Sequence, residues 1–449
     1  MHKLVIHRLG PIEHCALECT SFMTLTGFQA SGKSTIAKAI YFFRTIKEDI
    51  ASLAERQALG GVVINGIEDE YYYGSEVSLE EALENALQKK FFSTFGLSGG
   101  KVNETYMEYY FTQTCSITIR LKQDEIKCPA HAVPGYLQII FSDCLRTFLQ
   151  EKNHCFFSTS LGVSREKKNQ LNHELYQLFD DDCTVVYIPA GRSMITLLSR
   201  QFNYIYATMG DDQKQSLDVC TRDYIERTLR LKPEFSDGIQ HVTTHSPGKS
   251  LSLFIERGLA LNLIKKILKG DYRYNNGEEQ ILLGDGNYVK LNFASSGQQE
   301  CVWILNLLFY YLIQKKPVLF IIEEPESHLF PESQKYITEL IALVNHCGHS
   351  IVLTTHSPYV LGTLNNLLYA YTIPSQYRKK ASEIIHAWIW LNYQQFNSWF
   401  VKDGTIETCM DDEIHMIQNE KIDEISKVIN QDFDQLLDLQ STDEDGVML

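Results

Sequence analysis

Gly27-Phe28-Gln29-Ala30-Ser31-Gly32-Lys33-Ser34-Thr35 fits the phosphate-loop pattern of glycine, four residues and Gly-Lys-Ser. Ser21 to Thr26, just before it, reads as a short apolar strand. Thr35 to Phe43, just after it, carries Ile36, Ala37, Ile40 and Phe43 at helical spacing. Strand, glycine loop and helix together form the context this motif needs. The glycines let backbone N–H groups turn inward toward phosphate oxygens, and the helix N-terminus adds a partial positive charge. Lys33 then reaches the β- and γ-phosphates, and Ser34 holds Mg²⁺. The expected ligands are therefore a nucleoside triphosphate and Mg²⁺.

The composition sets bounds on the partners. The chain has 449 residues, 44% hydrophobic and 22% charged, as in an ordinary globular protein of two or three domains. No apolar run reaches membrane-spanning length, and residues 1–20 lack the basic-then-apolar order of a signal peptide. Eleven cysteines are scattered without Cys-x-x-Cys pairs, so a disulfide framework or zinc site is not expected and a cytoplasmic location is. A net charge of −15 argues against a broadly basic surface for nucleic acid.

Along the chain, Leu4–Leu9 and Cys15–Thr20 read as a hairpin across Gly10-Pro11. Strands are expected at Tyr106–Phe111 and Cys115–Leu121, and a helix at Leu79–Lys90. Tyr71-Tyr72-Tyr73 reads as strand packing, because no basic residues interleave it. An amphipathic, helical segment is expected from Gly135 to Glu151, followed by a polar link at Ser158–Lys168. Cys183–Ile188 is a buried-type strand running into Pro189-Ala190-Gly191-Arg192-Ser193. Two readings of Arg192 stand side by side: contact with phosphates or a neighbouring subunit, and an exposed arginine in a turn. Helices at Asp211–Arg230 and Leu251–Leu268 flank an irregular Pro233–Gly248.

Gln280–Phe293 reads as a hairpin across Gly284-Asp285-Gly286. Ala294-Ser295-Ser296-Gly297-Gln298-Gln299-Glu300 then opens an apolar helix from Cys301 to Ile313, with small residues and a glycine at its N-terminus. A plain serine cap explains the same pattern when it is taken alone. Val318–Ile322 is a fully apolar strand ending in Glu323-Glu324-Pro325-Glu326. Carboxylates at the C-terminal end of such a strand can hold hydrated Mg²⁺ and orient a water. A helix at Pro331–His346 leads to the strand Ser350–Thr355 and to His356, a candidate donor to a phosphate oxygen. Thr243-Thr244-His245-Ser246-Pro247 repeats the pattern around His356 without its apolar strand, so His356 is preferred. A strand at Ala387–Leu391, a sheet edge at Ser398–Val401, a helix at Lys421–Leu437 and a frayed acidic tail complete the reading.

The order phosphate loop, Ser-Ser-Gly-Gln helix, acidic strand and histidine strand resembles the ABC-type ATPases of the SMC, RecF and OLD-like branch. Glu323-Glu324-Pro325-Glu326-Ser327-His328-Leu329 before Pro331 is similar to the OLD-like acidic motif and the dimer-contact loop after it. The likeness covers residues 1–45 and about 285–370. It implies an α/β head, with a mixed sheet flanked by helices and an antiparallel β lobe. The expected divisions are 1–192 and 280–391 for the two parts of the head, 193–279 for a helical insertion and 392–449 for an extension.

Carried over by residue, Gly27, Gln29, Ala30, Ser31, Gly32, Lys33, Ser34 and Thr35 cradle ATP. Ser34 and Glu323 hold Mg²⁺, Glu324 positions the attacking water, and His356 contacts the γ-phosphate. Ser295, Ser296, Gly297 and Gln298 serve the nucleotide of a second subunit, which implies head-to-head dimers around two ATPs. Gln29 stands where Asn is common and Glu323 where Asp is usual, and no residue matches the usual magnesium-contacting glutamine. Tyr187-Ile188-Pro189-Ala190-Gly191-Arg192 and the last helix also look like ATPase subunits of bacterial anti-phage systems such as Septu PtuA and PARIS. The resemblance implies an ATPase that senses or scaffolds for a separate effector, an HNH or TOPRIM nuclease, with DNA or a phage protein as trigger. A RecF- or SMC-like DNA clamp is the alternative. With fewer than a hundred residues after His356, nuclease activity is not expected of this chain alone.

Overall fold

The computed structural model describes residues 2–58, 77–96, 105–122, 136–153, 165–197, 208, 217–242, 251–284, 286–314, 316–411, 413–418 and 430–436. In chain order the elements begin with strands β1 (His2–Leu9), β2 (Ile12–Cys19) and β3 (Phe22–Gly27) and helices α1 (Lys33–Arg44), α2 (Ile46–Ala58) and α3 (Leu79–Phe95). Strands β4 (Tyr106–Tyr110), β5 (Ser116–Lys122) and β6 (Tyr136–Phe141) follow, then α4 (Asp143–Lys152), α5 (Arg165–Phe179), β7 (Thr184–Ile188) and α6 (Arg192–Leu197). Next come α7 (Val219–Leu231), α8 (Leu251–Leu268), β8 (Asp271–Asn275), β9 (Glu278–Leu282), β10 (Tyr288–Lys290) and α9 (Ser296–Gln314). The chain continues through β11 (Val318–Glu323), α10 (Pro331–His346), β12 (Ser350–Thr355), α11 (Pro358–Thr372), β13 (Phe396–Lys402) and β14 (Thr405–Thr408).

Two sheets organise the fold. The main sheet has the order β14-β13-β3-β12-β11-β7, parallel throughout except for β14. The second is antiparallel, in the order β2-β1-β4-β5-β6. The hairpin expected across Gly10 is present, with Leu9 opposite Ile12. The parallel strands are apolar on both faces because both faces are covered. Leu319 and Ile321 of β11 join one core cluster with α1, α2, α3 and the antiparallel sheet. Phe320 and Ile322 join another with α8, α9, α10 and α11. The strand's period of two thus divides one apolar run between two cores. The result is an α/β fold with a mixed main sheet, flanking helices and an antiparallel lobe.

Several expectations are corrected. The segment 135–151 is not one helix: Tyr136–Phe141 pairs with β5, Leu137 opposite Leu121, and only Asp143–Lys152 is helical. Ser142 and Asp143 mark the boundary between the two. Ala387–Leu391 is not a strand; Ala387–Ile389 forms a 3-10 turn, with Ile389 and Leu391 buried in the core. Their apolarity serves packing and not a ladder. Ser398–Val401 is not an edge either. It lies in β13, hydrogen-bonded to β3 on one side and β14 on the other. Of the helix expected at Asp211–Arg230, residues 211–216 lie outside the described residues, and the described helix begins at Val219, where the Asp218 side chain accepts from the N–H groups of Cys220 and Thr221. Tyr71–Tyr73, Thr243–Pro247 and residues 421–429 lie outside the described residues, and the described helical residues 430–436 are all exposed.

Candidate functional site

The site lies where β3, β11 and β12, neighbours in the parallel sheet, end on the same side. Gly27 leaves β3 at φ 143°, and a Cβ there would lie 2.2 Å from the Val401 carbonyl oxygen of β13. Only glycine lets the loop begin against that strand. Gly32 caps α1 at φ 108°, and a Cβ there would come within 2.4 Å of Ile12. Between them Ala30 is also left-handed, at φ 59°. These turns aim the free N–H groups of α1's first turn into the loop. Lys33 is buried and donates to the carbonyls of Gly27 at 3.1 Å and Phe28 at 2.8 Å. Burial lowers its pKa, against the upward pull of Glu324, Glu326 and Glu323. The amine and the carboxylates at the end of β11 therefore share one electrostatic site. Ser34 is exposed at the start of α1.

The three glutamates have different surroundings. Glu323 is buried, and its Oε2 accepts from the N–H of Ala190 at 3.1 Å. Its Oε1 is buried with no hydrogen-bond partner, beside Tyr187, whose hydroxyl is pushed well above its normal pKa by burial first and then by Glu323. Glu324 is half-buried at φ 43°, its N–H bonded to the Thr354 carbonyl at 3.0 Å. Its carboxylate meets His356 Nε2 at 3.3 Å and accepts from Ser327 Oγ at 3.3 Å. The hydrogen bond with His356 is the main cause of its lowered pKa, so Glu324 is ionised and able to accept a proton. Glu326 Oε1 accepts from Thr355 Oγ1 at 2.6 Å and from the N–H of His356 at 2.8 Å. Burial raises its pKa. It ties the loop after β11 to the end of β12 and so fixes the backbone of His356.

The Ser295–Gln298 stretch is a capping box. The Ser295 N–H and Oγ both donate to Gln298 Oε1, at 3.1 and 3.0 Å, and the Gln298 N–H donates back to Ser295 Oγ at 3.3 Å. Gln298 also donates to the Leu268 carbonyl at 2.8 Å. Ser296 is exposed at the first helical position, and Gly297 sits so close to the loop after β11 that a Cβ would lie 2.8 Å from the His328 carbonyl oxygen. Among the described residues, no hydrogen bond joins Ser295–Gln298 to residues 27–35. The structure gathers Lys33, Glu323, Glu324 and His356, and leaves Ser296 facing outward.

Two residues escaped the sequence reading. Glu326 carries no special spacing; its signal was a third carboxylate two residues beyond Glu324. Arg192 corrects one of its expected settings, that of an exposed arginine in a turn. It is fully buried and donates to the carbonyls of Pro189, Glu323 and Glu324 at 2.5, 2.6 and 2.9 Å. It does not reach solvent.

The residues present suit Mg·ATP: two glycines force the cradle, Lys33 points into it, and Glu323 Oε1 and the buried Ser31 Oγ are left without partners. Fold and site together define a phosphate-loop nucleotide-binding protein. Residues 1–361 match the AAA ATPase domain family, and the chain belongs to it. A stretch of 98 residues is 31% identical to the cytochrome c biogenesis ATP-binding export protein CcmA of Bartonella quintana (strain Toulouse), over 22% of this chain and 45% of that protein. The chain thus spans less than half the length of that relative. Among solved structures, an SMC head bound to the C-terminal winged-helix domain of ScpA is 11% identical with TM-score 0.39, over 90% of this chain and 95% of that one. The SMC head with extended coiled coil bound to the C-terminal domain of ScpA from Pyrococcus furiosus is 11% identical with TM-score 0.37, over 96% and 100%. The SMC head of Thermotoga maritima is 12% identical with TM-score 0.34, over 90% and 97%. Likeness this remote carries no argument about function. Among the described residues, no helix is long and apolar enough to cross a membrane.

Proposed function

We propose that this protein is an ABC-type ATP-driven switch, in which ATP closes two heads on each other and hydrolysis opens them. The observation that supports it best is the meeting of Lys33, Glu323, Glu324 and His356 at the ends of adjacent parallel strands. Gly27, Gln29–Gly32 and Thr35 cradle the phosphates, and Lys33 leaves the loop carbonyls for the β- and γ-phosphate oxygens. Ser34 and the unpaired Glu323 Oε1 are the oxygens that would hold Mg²⁺. Bound there, Mg²⁺ neutralises charge on the β- and γ-phosphates. Glu324, ionised, accepts a hydrogen bond from the attacking water and orients it at the γ-phosphorus. His356 turns from Glu324 to donate to a γ-phosphate oxygen as ATP enters. Ser295, Ser296, Gly297 and Gln298 complete the site of the facing subunit.

Closing and opening then gate a separate effector, a nuclease of HNH or TOPRIM type, in a cytoplasmic anti-phage complex. That role is supported by the likeness of Tyr187–Arg192 to defence ATPases. An SMC- or RecF-like role on DNA uses the same site, and DNA-stimulated hydrolysis by the pure protein would favour it. The proposal predicts that Glu324→Gln lowers the steady-state ATPase rate at least about 100-fold while ATP still binds. Lys33→Ala should abolish binding itself. Equal turnover by wild type and Glu324→Gln would remove Glu324 from the chemistry.

A further inference from the structure

One buried ion pair joins three elements of the site. Arg192 opens α6, and Glu300 lies in the second turn of α9, four residues beyond Ser296. The Arg192 Nη2 to Glu300 Oε1 distance is 3.1 Å, and both side chains are at most 1% exposed. The Glu300 carboxylate also accepts the N–H groups of Arg192 and Ser193, at 3.1 and 2.6 Å. It thereby satisfies the first free N–H groups of α6. The guanidinium donates in turn to the carbonyls of Glu323 and Glu324 and, through Nε, to the Glu300 carbonyl at 3.3 Å. Arginine suits this place because its planar fork serves several acceptors at once and stays charged. Lysine has three donors on a flexible stem and cannot reproduce the fork.

Glu324 has a backbone that needs such a hold. A non-glycine residue at φ 43° is costly and persists only when its surroundings enforce it. Its N–H is fixed by the Thr354 carbonyl and its own carbonyl by Arg192. Both ends of the residue are therefore held while its carboxylate projects toward His356. The hold is anchored at Glu300, on the helix whose exposed start is Ser296.

We propose that Arg192 is a positioning residue, which fixes the Glu324 carboxylate for attack and through Glu300 ties its aim to the helix that begins at Ser296. This rests on the reading of Glu324 as the residue that orients the water. A nucleotide pressing on Ser296 of one subunit thereby reaches Glu324 of the same subunit through a single buried ion pair, so the two half-sites of a dimer are linked through each protein chain.

The test uses Arg192→Lys and Glu300→Gln, each alone and combined with Glu324→Gln. Steady-state kcat and KM, affinity for a fluorescent ATP analogue, single-turnover hydrolysis and thermal midpoints are measured on the full chain. Each single variant should lose roughly 10- to 100-fold in kcat, with KM and analogue affinity within about twofold of wild type. In the Glu324→Gln background neither substitution should slow single turnover further, because the group it positions is gone. Losses that multiply in the double variants, or a raised KM with unchanged kcat, would overturn the inference. If Arg192→Lys shows no folding transition, the isosteric Glu300→Gln decides by the same measurements. Should Glu324→Gln hydrolyse like wild type, the reading of Glu324 fails and this inference with it. Should Glu324→Gln stall while Arg192→Lys and Glu300→Gln turn over normally, only this inference fails.

Discussion

Gly27 is the point where chain geometry and ligand binding meet most tightly. A methyl group added there would press on the Val401 carbonyl at 2.2 Å, and φ 143° is already outside the range of other residues. Gly27→Ala should therefore cost about 1–3 kcal/mol of stability and weaken ATP binding, because the loop must shift away from β13. Denaturant melts alongside nucleotide titration would check both. At this scale the sequence was informative wherever a residue type is unusual for its place. Glycines, a lysine and paired carboxylates at fixed spacing single out residues 27–35 and 323–324, which the fold brings together. It was uninformative about Arg192, because an arginine after Pro-Ala-Gly looks the same whether it meets water or four carbonyls. Burial of that side chain is decided by Glu300, more than a hundred residues away. A sequence shows no such pairing.

Among elements, the junction between α1, α2 and the start of β7 is tied through one carboxylate. Asp181 is buried and takes the Arg44 guanidinium at 2.7 Å and the Lys47 amine at 2.6 Å. Burial alone would raise its pKa, but the two cations overcome this and hold it at about 2, below the ordinary 3.8. Because the folded value is depressed, the stabilisation is full above the unfolded pKa and is lost as pH falls from about 4 toward 2. Asp181→Asn, which leaves two buried cations without their counter-charge, should cost roughly 3–5 kcal/mol near neutral pH. The variant should also lose less stability than wild type on acidification, as urea midpoints across that range would reveal. Equal pH profiles would show that the carboxylate contributes nothing. Periodicity gave the long elements well, α10 to the residue, because their apolar faces repeat. It failed at 135–151, where a strand and a helix abut, and at β13, whose Phe396, Phe400 and Val401 gave no sign that it lies beside β3. Which strand neighbours which is a property of topology, and local pattern does not encode it.

For the whole molecule, the fold supplies a nucleotide cradle and leaves a second surface, the capped start of α9, turned outward. Ser296 is exposed, and no hydrogen bond among the described residues joins the Ser295–Gln298 box to the phosphate loop. A cradle and an outward-facing helix start on one chain make sense together if two chains face each other, each closing the other's site. The net charge of −15 also makes approach of two heads unfavourable at long range, so association should depend on nucleotide. The most direct test is the mass in solution of Glu324→Gln with and without Mg·ATP, beside the same variant carrying Ser296→Arg. The account predicts that ATP at least doubles the mass of Glu324→Gln and that Ser296→Arg keeps it monomeric while ATP still binds. An unchanged mass with bound ATP, or association indifferent to Ser296→Arg, would contradict it.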